Sequence, residues 1–85
     1  MQLLRTKRFA KQFRKLPKTV QEKFEQRLRL FVADPDHPLL KIHSLKGDRL
    51  GLLSLNVTAD HRALFTWEGD IVTFYEIGSH SELYS

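Results

Sequence analysis

Leu53-Ser54-Leu55-Asn56-Val57, Ala63-Leu64-Phe65-Thr66-Trp67 and Ile71-Val72-Thr73-Phe74-Tyr75-Glu76-Ile77 are three short runs rich in apolar residues, the first two alternating with a period of two. That period sends successive side chains to opposite sides of an extended backbone, so each run reads as a strand. The turn Thr58-Ala59-Asp60-His61-Arg62 separates the first two runs, and Glu68-Gly69-Asp70, with a glycine suited to positive φ, separates the second and third. Connections this short predict an antiparallel meander.

Upstream, the spacing becomes helical. Thr6 is placed to cap a helix whose apolar face holds Phe9, Phe13 and Leu16, and Pro17 breaks it. Proline is tolerated in a first turn, so a second helix is expected to start near 17–19 and to carry Val20, Phe24, Leu28, Phe31 and Val32 on one side. Asp34-Pro35-Asp36-His37-Pro38 ends it. Two helices joined by so short a break pack as a hairpin, and each is too small to bury its stripe without a sheet. With Leu3 and Leu4 as an extra N-terminal strand, the expected fold is α+β in the order β-α-α-β-β-β, one domain over residues 1–85. The helix hairpin covers one face of a small antiparallel sheet, and the other face stays partly open to a ligand.

The 85 residues are 41% hydrophobic and 28% charged, which suits a globular chain with a single core. The absence of cysteine excludes a disulfide framework and thiolate chemistry. Fourteen Lys and Arg against ten Asp and Glu give a net charge of +4, which favours an anionic partner, nucleic acid or an acidic protein. Residues 1–29 hold ten Lys and Arg against two Glu. No apolar stretch has signal-peptide or membrane-spanning length, so the expected location is the cytoplasm, with no membrane partner.

Four histidines, His37, His43, His61 and His80, are the candidates for proton transfer near neutral pH. His37 reads as a loop residue, His43 precedes the basic turn Ser44 to Arg49, and His61 lies in a turn with Asp60. The strongest candidate is His80, which follows the third strand and has Tyr84 four residues on. The spacings lack the close ligand pairs of metal sites, and no phosphate-binding glycine loop or dinucleotide fingerprint is present. No cofactor is expected. RNA supplies its own nucleophile, the 2′-hydroxyl, so its cleavage needs only a base, an acid and cations around the phosphate.

Phe9-Ala10-Lys11-Gln12-Phe13-Arg14-Lys15-Leu16-Pro17, Leu45-Lys46-Gly47, His61-Arg62-Ala63-Leu64-Phe65 and Ile77-Gly78-Ser79-His80-Ser81-Glu82-Leu83-Tyr84 together resemble the RelE/ParE superfamily of toxin-antitoxin toxins, within it the YafQ-like messenger-RNA endonucleases. The resemblance spans nearly the whole chain, and its last segment is the most specific. It implies a RelE-like sheet with a helix hairpin, a metal-independent endoribonuclease acting on mRNA in the 30S A site of the ribosome, and a cognate antitoxin that neutralises it. By position it implies His80 as general acid or base, Tyr84 as the aromatic at the substrate base, and Arg62 as the phosphate-stabilising arginine. It places His43 and Asp60 where relatives have further active-site groups and His61 where an aromatic often sits, and all three are counted as catalytic candidates. Lys46 and Arg49 are assigned to the RNA backbone by charge and position.

Two departures stand out. Leu53 and Leu55 occupy the strand where relatives carry lysines or a histidine, and Glu76 stands where YafQ-like enzymes have an arginine. A carboxylate beside a cleaving phosphate would repel it, or would raise the pKa of a histidine on the same face. The alternatives are a ParE-like toxin that inhibits DNA gyrase by contact and a catalytically weak homologue that acts by binding.

Overall fold

In the computed structural model, which describes residues 1–84, strand β1 (Gln2–Arg5) leads into helices α1 (Lys7–Arg14) and α2 (Lys18–Ala33). A short strand β2 (His43–Ser44) follows, then the meander β3 (Leu53–Asn56), β4 (His61–Glu68) and β5 (Ile71–Ser79), and a terminal helix α3 (His80–Tyr84). The sheet order is β1-β5-β4-β3-β2, antiparallel except for the parallel pairing of β1 with β5. The expected meander and the N-terminal strand are both present. The short strand β2 and helix α3 are additions to the expected order.

Thr6 joins sheet to helix. Its N–H donates to Phe74 O at 3.0 Å and its hydroxyl to Tyr75 O at 3.0 Å, while the same oxygen accepts from Phe9 N at 3.0 Å. One residue thus ends the β1–β5 ladder and satisfies an orphan donor of α1. At the other end of α1 the carbonyls of Phe13 and Leu16 accept from Gln21 Nε2 at 2.9 and 3.2 Å, which ties the break at Pro17 to α2. Beyond β1 the edge of β5 is covered by α1, where Gln12 Oε1 accepts from Ile77 N at 2.9 Å.

The core between helices and sheet is a relay of aromatic rings. Phe24 lies 5.2 Å from Phe9 and 5.3 Å from Phe74, Phe74 lies 5.3 Å from Phe65, and Phe31 bridges Phe65 and Trp67 at 5.5 and 5.2 Å. Tilted and edge-on pairs at these spacings add to the stabilisation from buried area. Arg5 closes one end, its guanidinium 5.1 Å from the Phe24 ring centroid and paired with Glu25 at 2.7 Å. Leu53 and Leu55 pack on this helix-facing side, with Leu55 fully buried, so the two departures on β3 are core residues. The opposite face has its own small cluster, in which Leu45, Leu64 and Leu83 are buried with Leu52 against them.

A register shift divides these faces. Leu64 pairs with Glu76 and Phe65 with Phe74, which leaves Tyr75 as the extra residue of a β-bulge. Strict alternation would send Phe74 and Glu76 to one side. The bulge lets Phe74 enter the aromatic core while Glu76 lies with Leu64 on the face away from the helices.

Removing one large ring from the relay should cost far more than trimming the second cluster. Phe24→Ala is expected to lower the unfolding free energy by about 3–5 kcal/mol and Leu83→Ala by about 2–3 kcal/mol. Denaturant midpoints followed by Trp67 fluorescence test the order, and equal losses would contradict this division of the core.

Candidate active site

Helix α3 is seated by a reciprocal pair of bonds at its first turn. Ser79 N–H donates to Glu82 Oε1 at 2.8 Å, and Glu82 N–H donates to Ser79 Oγ at 3.2 Å. This is a capping box, and its Ser-x-x-Glu spacing is present in the sequence. The bonds from Ser79 hold the Glu82 carboxyl below its ordinary pKa. Beneath it Gly78 leaves room, since a Cβ there would stand 3.2 Å from Glu82 Oε1 and 3.5 Å from Leu83. Leu83 is buried against Leu64 and Leu45, and His80 N–H donates to Asp60 O at 2.8 Å. The strand therefore turns into a helix at His80 instead of running straight on.

Four residues apart on α3, His80 and Tyr84 face the same way, with ring centroids 4.6 Å apart. Tyr84 donates its hydroxyl to Ser54 Oγ at 3.4 Å, and Ser54 is fully buried. Ser54 is paired in register with His43 on β2 and with Leu64 on β4. Residues directly opposite each other share a face, so His43 and Ser54 lie on the side of the sheet away from the helices, where Tyr84 meets Ser54 and His80 lies against the Tyr84 ring. Sequence reading missed Ser54, whose only signal was its place as a polar residue out of phase with Leu53 and Leu55.

The ring of His43 is oriented. Its Nδ1 lies 3.0 Å from Lys41 O, and a carbonyl only accepts, so Nδ1 carries the proton and Nε2 is left to take another. His61 is held differently. Thr58 Oγ1 accepts from the N–H groups of Asp60 and His61 at 3.2 and 3.0 Å, so its own hydroxyl hydrogen goes to His61 Nδ1 at 2.9 Å. Alternation with Ala63 and Phe65 puts His61 on the helix side of β4, apart from His43 and His80. Asp60 is exposed on the turn, and the bond to His80 comes from its backbone.

Arg62 lies opposite Gly78 in register, on the same face as Ser54 and Leu64. One terminal nitrogen, Nη1, donates to the carbonyls of Thr58, Ala59 and His61 at 3.0, 3.2 and 3.1 Å. Lys46 is exposed and lines an open pocket of about 500 Å³ with Asp48, Arg49, Leu83 and Tyr84. Arg49 is engaged within the fold, donating to Glu76 Oε2 through Nη1 and to Leu83 O at 2.9 Å through Nη2. The other Glu76 oxygen meets Arg8 at 3.2 Å, reaching around the part of the β5 edge that β1 leaves uncovered. Glu76 therefore serves two arginines and fastens α3 through Arg49. Among the described residues no three of the histidines, aspartates and glutamates converge as metal ligands would.

A family model described as "ParE toxin of type II toxin-antitoxin system, parDE" matches residues 3–84. The chain belongs to the ParE toxin family, within the RelE/ParE superfamily. No curated protein matches the toxin by sequence. Among solved structures, YafQ from E. coli strain BL21(DE3) is similar with a TM-score of 0.84 and 17% identity, covering 98% of this chain and 97% of that one. A YoeB/ParE toxin from Agrobacterium tumefaciens matches with a TM-score of 0.77 and 25% identity over 94% of this chain and 99% of that one. The E. coli DinJ-YafQ toxin-antitoxin complex matches with a TM-score of 0.80 and 17% identity over 98% and 96%. The toxin shares their fold along almost its whole length.

Two predictions concern how the toxin holds α3. Glu76→Ala leaves Arg49 without its carboxylate and should cost about 1–3 kcal/mol, measured by denaturant unfolding; an unchanged midpoint would show the clamp to be idle. Because the folded state lowers the pKa of Glu82, its contribution is complete above the ordinary carboxylate range and is lost as the pH falls through the lowered value. The stability gap between the toxin and Glu82→Gln should therefore be widest near neutrality and close as the pH falls below the ordinary glutamate range and through the lowered value.

Proposed function

We propose that the toxin is an endoribonuclease that cleaves messenger RNA in the 30S A site of the ribosome by acid-base catalysis without a cofactor, and so inhibits translation. The observation that carries this reading is the contact of Tyr84 with both Ser54 and His80, on the face where His43 pairs in register with Ser54. It places two imidazoles and a phenol on one open face, with Arg62 and Lys46 beside them.

The chemistry balances on these groups. His43 Nε2, left free by the Nδ1 bond to Lys41 O, takes the proton of the 2′-hydroxyl, whose oxygen attacks the adjacent phosphorus. As the P–O5′ bond breaks, His80 gives a proton to the departing oxygen, and the products are a 2′,3′-cyclic phosphate and a 5′-hydroxyl. Arg62 keeps N–H groups beyond its bonded Nη1 for the charge that grows on the phosphoryl oxygens, with Lys46 as a second cation. Tyr84, one ring face against His80, offers the other to a base. Asp60 stands at the rim as a secondary proton acceptor. His61, directed to the helix side, has no step in this scheme, and Arg49 acts by holding α3.

A cognate antitoxin completes the system. The basic helix hairpin suits an acidic partner that folds as it binds, and the DinJ-YafQ toxin-antitoxin complex supports a toxin of this fold having an antitoxin partner. The family model favours one rival reading, a toxin that inhibits DNA gyrase by contact, since one fold hosts unrelated activities.

Induction of the toxin alone, followed by mapping of 5′ ends of cellular messages, separates the two. His80→Ala and His43→Ala should each lower cleavage by about 10²–10⁴-fold while leaving antitoxin binding intact. DNA damage with intact messages and translation would instead establish gyrase as the target.

A further inference from the structure

Behind the turn that carries Asp60 and Arg62 lies a second pocket, of about 390 Å³, between α2 and the β3–β4 connection. Lys23 and Arg27, four apart and on one side of α2, form one wall, and Lys41 projects from the loop on the other. Asn56, Thr58 and Leu39 contribute to its lining. No carboxylate lines it, and among the described residues none of the three cations forms an ion pair. Arg27 Nε is buried without a hydrogen-bond partner, and Lys41 is the one described non-glycine residue at positive φ, 47°. Three like charges, an unmet donor and a strained backbone in one place each cost stability in the free protein. An anion in the pocket would offset the three charges and meet the Arg27 donor, while the positive φ of Lys41 ends the turn Pro38–Leu40 and sets the lysine at the rim.

We propose that this pocket binds a phosphate and its nucleotide on the RNA strand, next to the segment being cleaved; the inference rests on the nuclease reading above. What favours RNA over an acidic peptide is physical continuity with the active face. Lys41 O orients His43, and the carbonyls of Thr58 and Ala59 hold Arg62, so the pocket and the active face share three residues' backbone. Asn56 lines the pocket and pairs with Arg62 in register. A strand lying over Arg62 that passes the turn meets Lys23, Arg27 and Lys41 next, and the Asn56 amide is available to a base edge. Arg49 and Arg8 are committed to Glu76, whereas Lys23, Arg27 and Lys41 form no ion pair among the described residues.

The test is binding of the full-length His80→Ala protein, which keeps RNA intact, to a short fluorescein-labelled oligouridylate over a range of salt. Adding Lys23→Gln, Arg27→Gln and Lys41→Asn should weaken binding about tenfold and lower the slope of log affinity against log salt by about 1–2, since each single-strand phosphate contact contributes about 0.7. Asparagine accepts positive φ, and Lys23→Gln alone, on the helix surface, should show a smaller fall in the same direction if the triple variant does not fold. A control of equal charge loss, Lys7→Gln with Lys11→Gln and Lys18→Gln, should lower the slope less. Equal losses in the two sets would overturn the proposal by showing only the general field, and so would loss of polyglutamate binding with RNA binding unchanged. Pocket-dependent binding in a protein that never cleaves messages would sink the nuclease reading and leave the subsite standing.

Discussion

One extra residue in β5 gives this sheet its two distinct sides. Tyr75 bulges between the pairs Leu64–Glu76 and Phe65–Phe74, so that a phenylalanine and a glutamate two positions apart look in opposite directions. Phe74 then completes the aromatic relay with Phe24, Phe65 and Phe9, which fastens both helices to one face. Glu76 reaches the other face, where it gathers Arg49 and, through it, the carbonyl of Leu83. Helix α3, and with it His80 and Tyr84, depends on both outcomes. In an unbulged strand the carboxylate would enter the aromatic core unpaired, and α3 would lose its clamp.

Much of this was legible in the chain, because the two periods are clean. Phe9, Phe13, Phe24 and Phe31 recur at helical spacing, Leu53 and Leu55 alternate with Ser54 and Asn56, and Thr6 and Pro17 mark a helix start and a break. The bulge was not legible, since no residue type announces where an extra position enters a ladder. Its consequence is that Glu76 reads from sequence as a carboxylate beside the site, whereas its two oxygens are occupied by Arg8 and Arg49, which lie 68 and 27 positions away along the chain. Long-range ion pairs leave no periodic trace. Ser54 is a similar case, a small polar residue that only the approach of Tyr84 distinguishes from a surface serine.

The arginines divide their labour in a way that residue type alone does not reveal. Arg5 closes the core over three aromatic rings, Arg49 and Arg8 meet Glu76, and Arg62 spends one nitrogen on its own turn. Each guanidinium stays charged while its geometry is fixed, the property that separates arginine from lysine at such places. A cation anchored at one nitrogen and open at the others is better prepared to meet a phosphate than a freely rotating one, because less conformational freedom is lost on contact. On this basis Arg62 and Arg49, both half-buried and both on the face away from the helices, have different work: the first keeps donors to spare, the second is occupied at both terminal nitrogens.

Membership of the ParE toxin family gives the frame, and activity is decided by the side chains carried on it. The frame here is indifferent, since the helix hairpin and meander would serve a nuclease or a contact inhibitor. What the open face adds is a buried serine bonded by Tyr84, a histidine whose tautomer is set by a backbone carbonyl, and a five-residue helix secured by a capping box, a glycine and an arginine clamp. With Nδ1 bonded, His43 presents Nε2 as a proton acceptor on the open face, whereas His61, also held in one tautomer, lies on the helix side. The bond from His43 Nδ1 to Lys41 O is supplied by the same Lys41, at positive φ, that brings a cation to the second pocket.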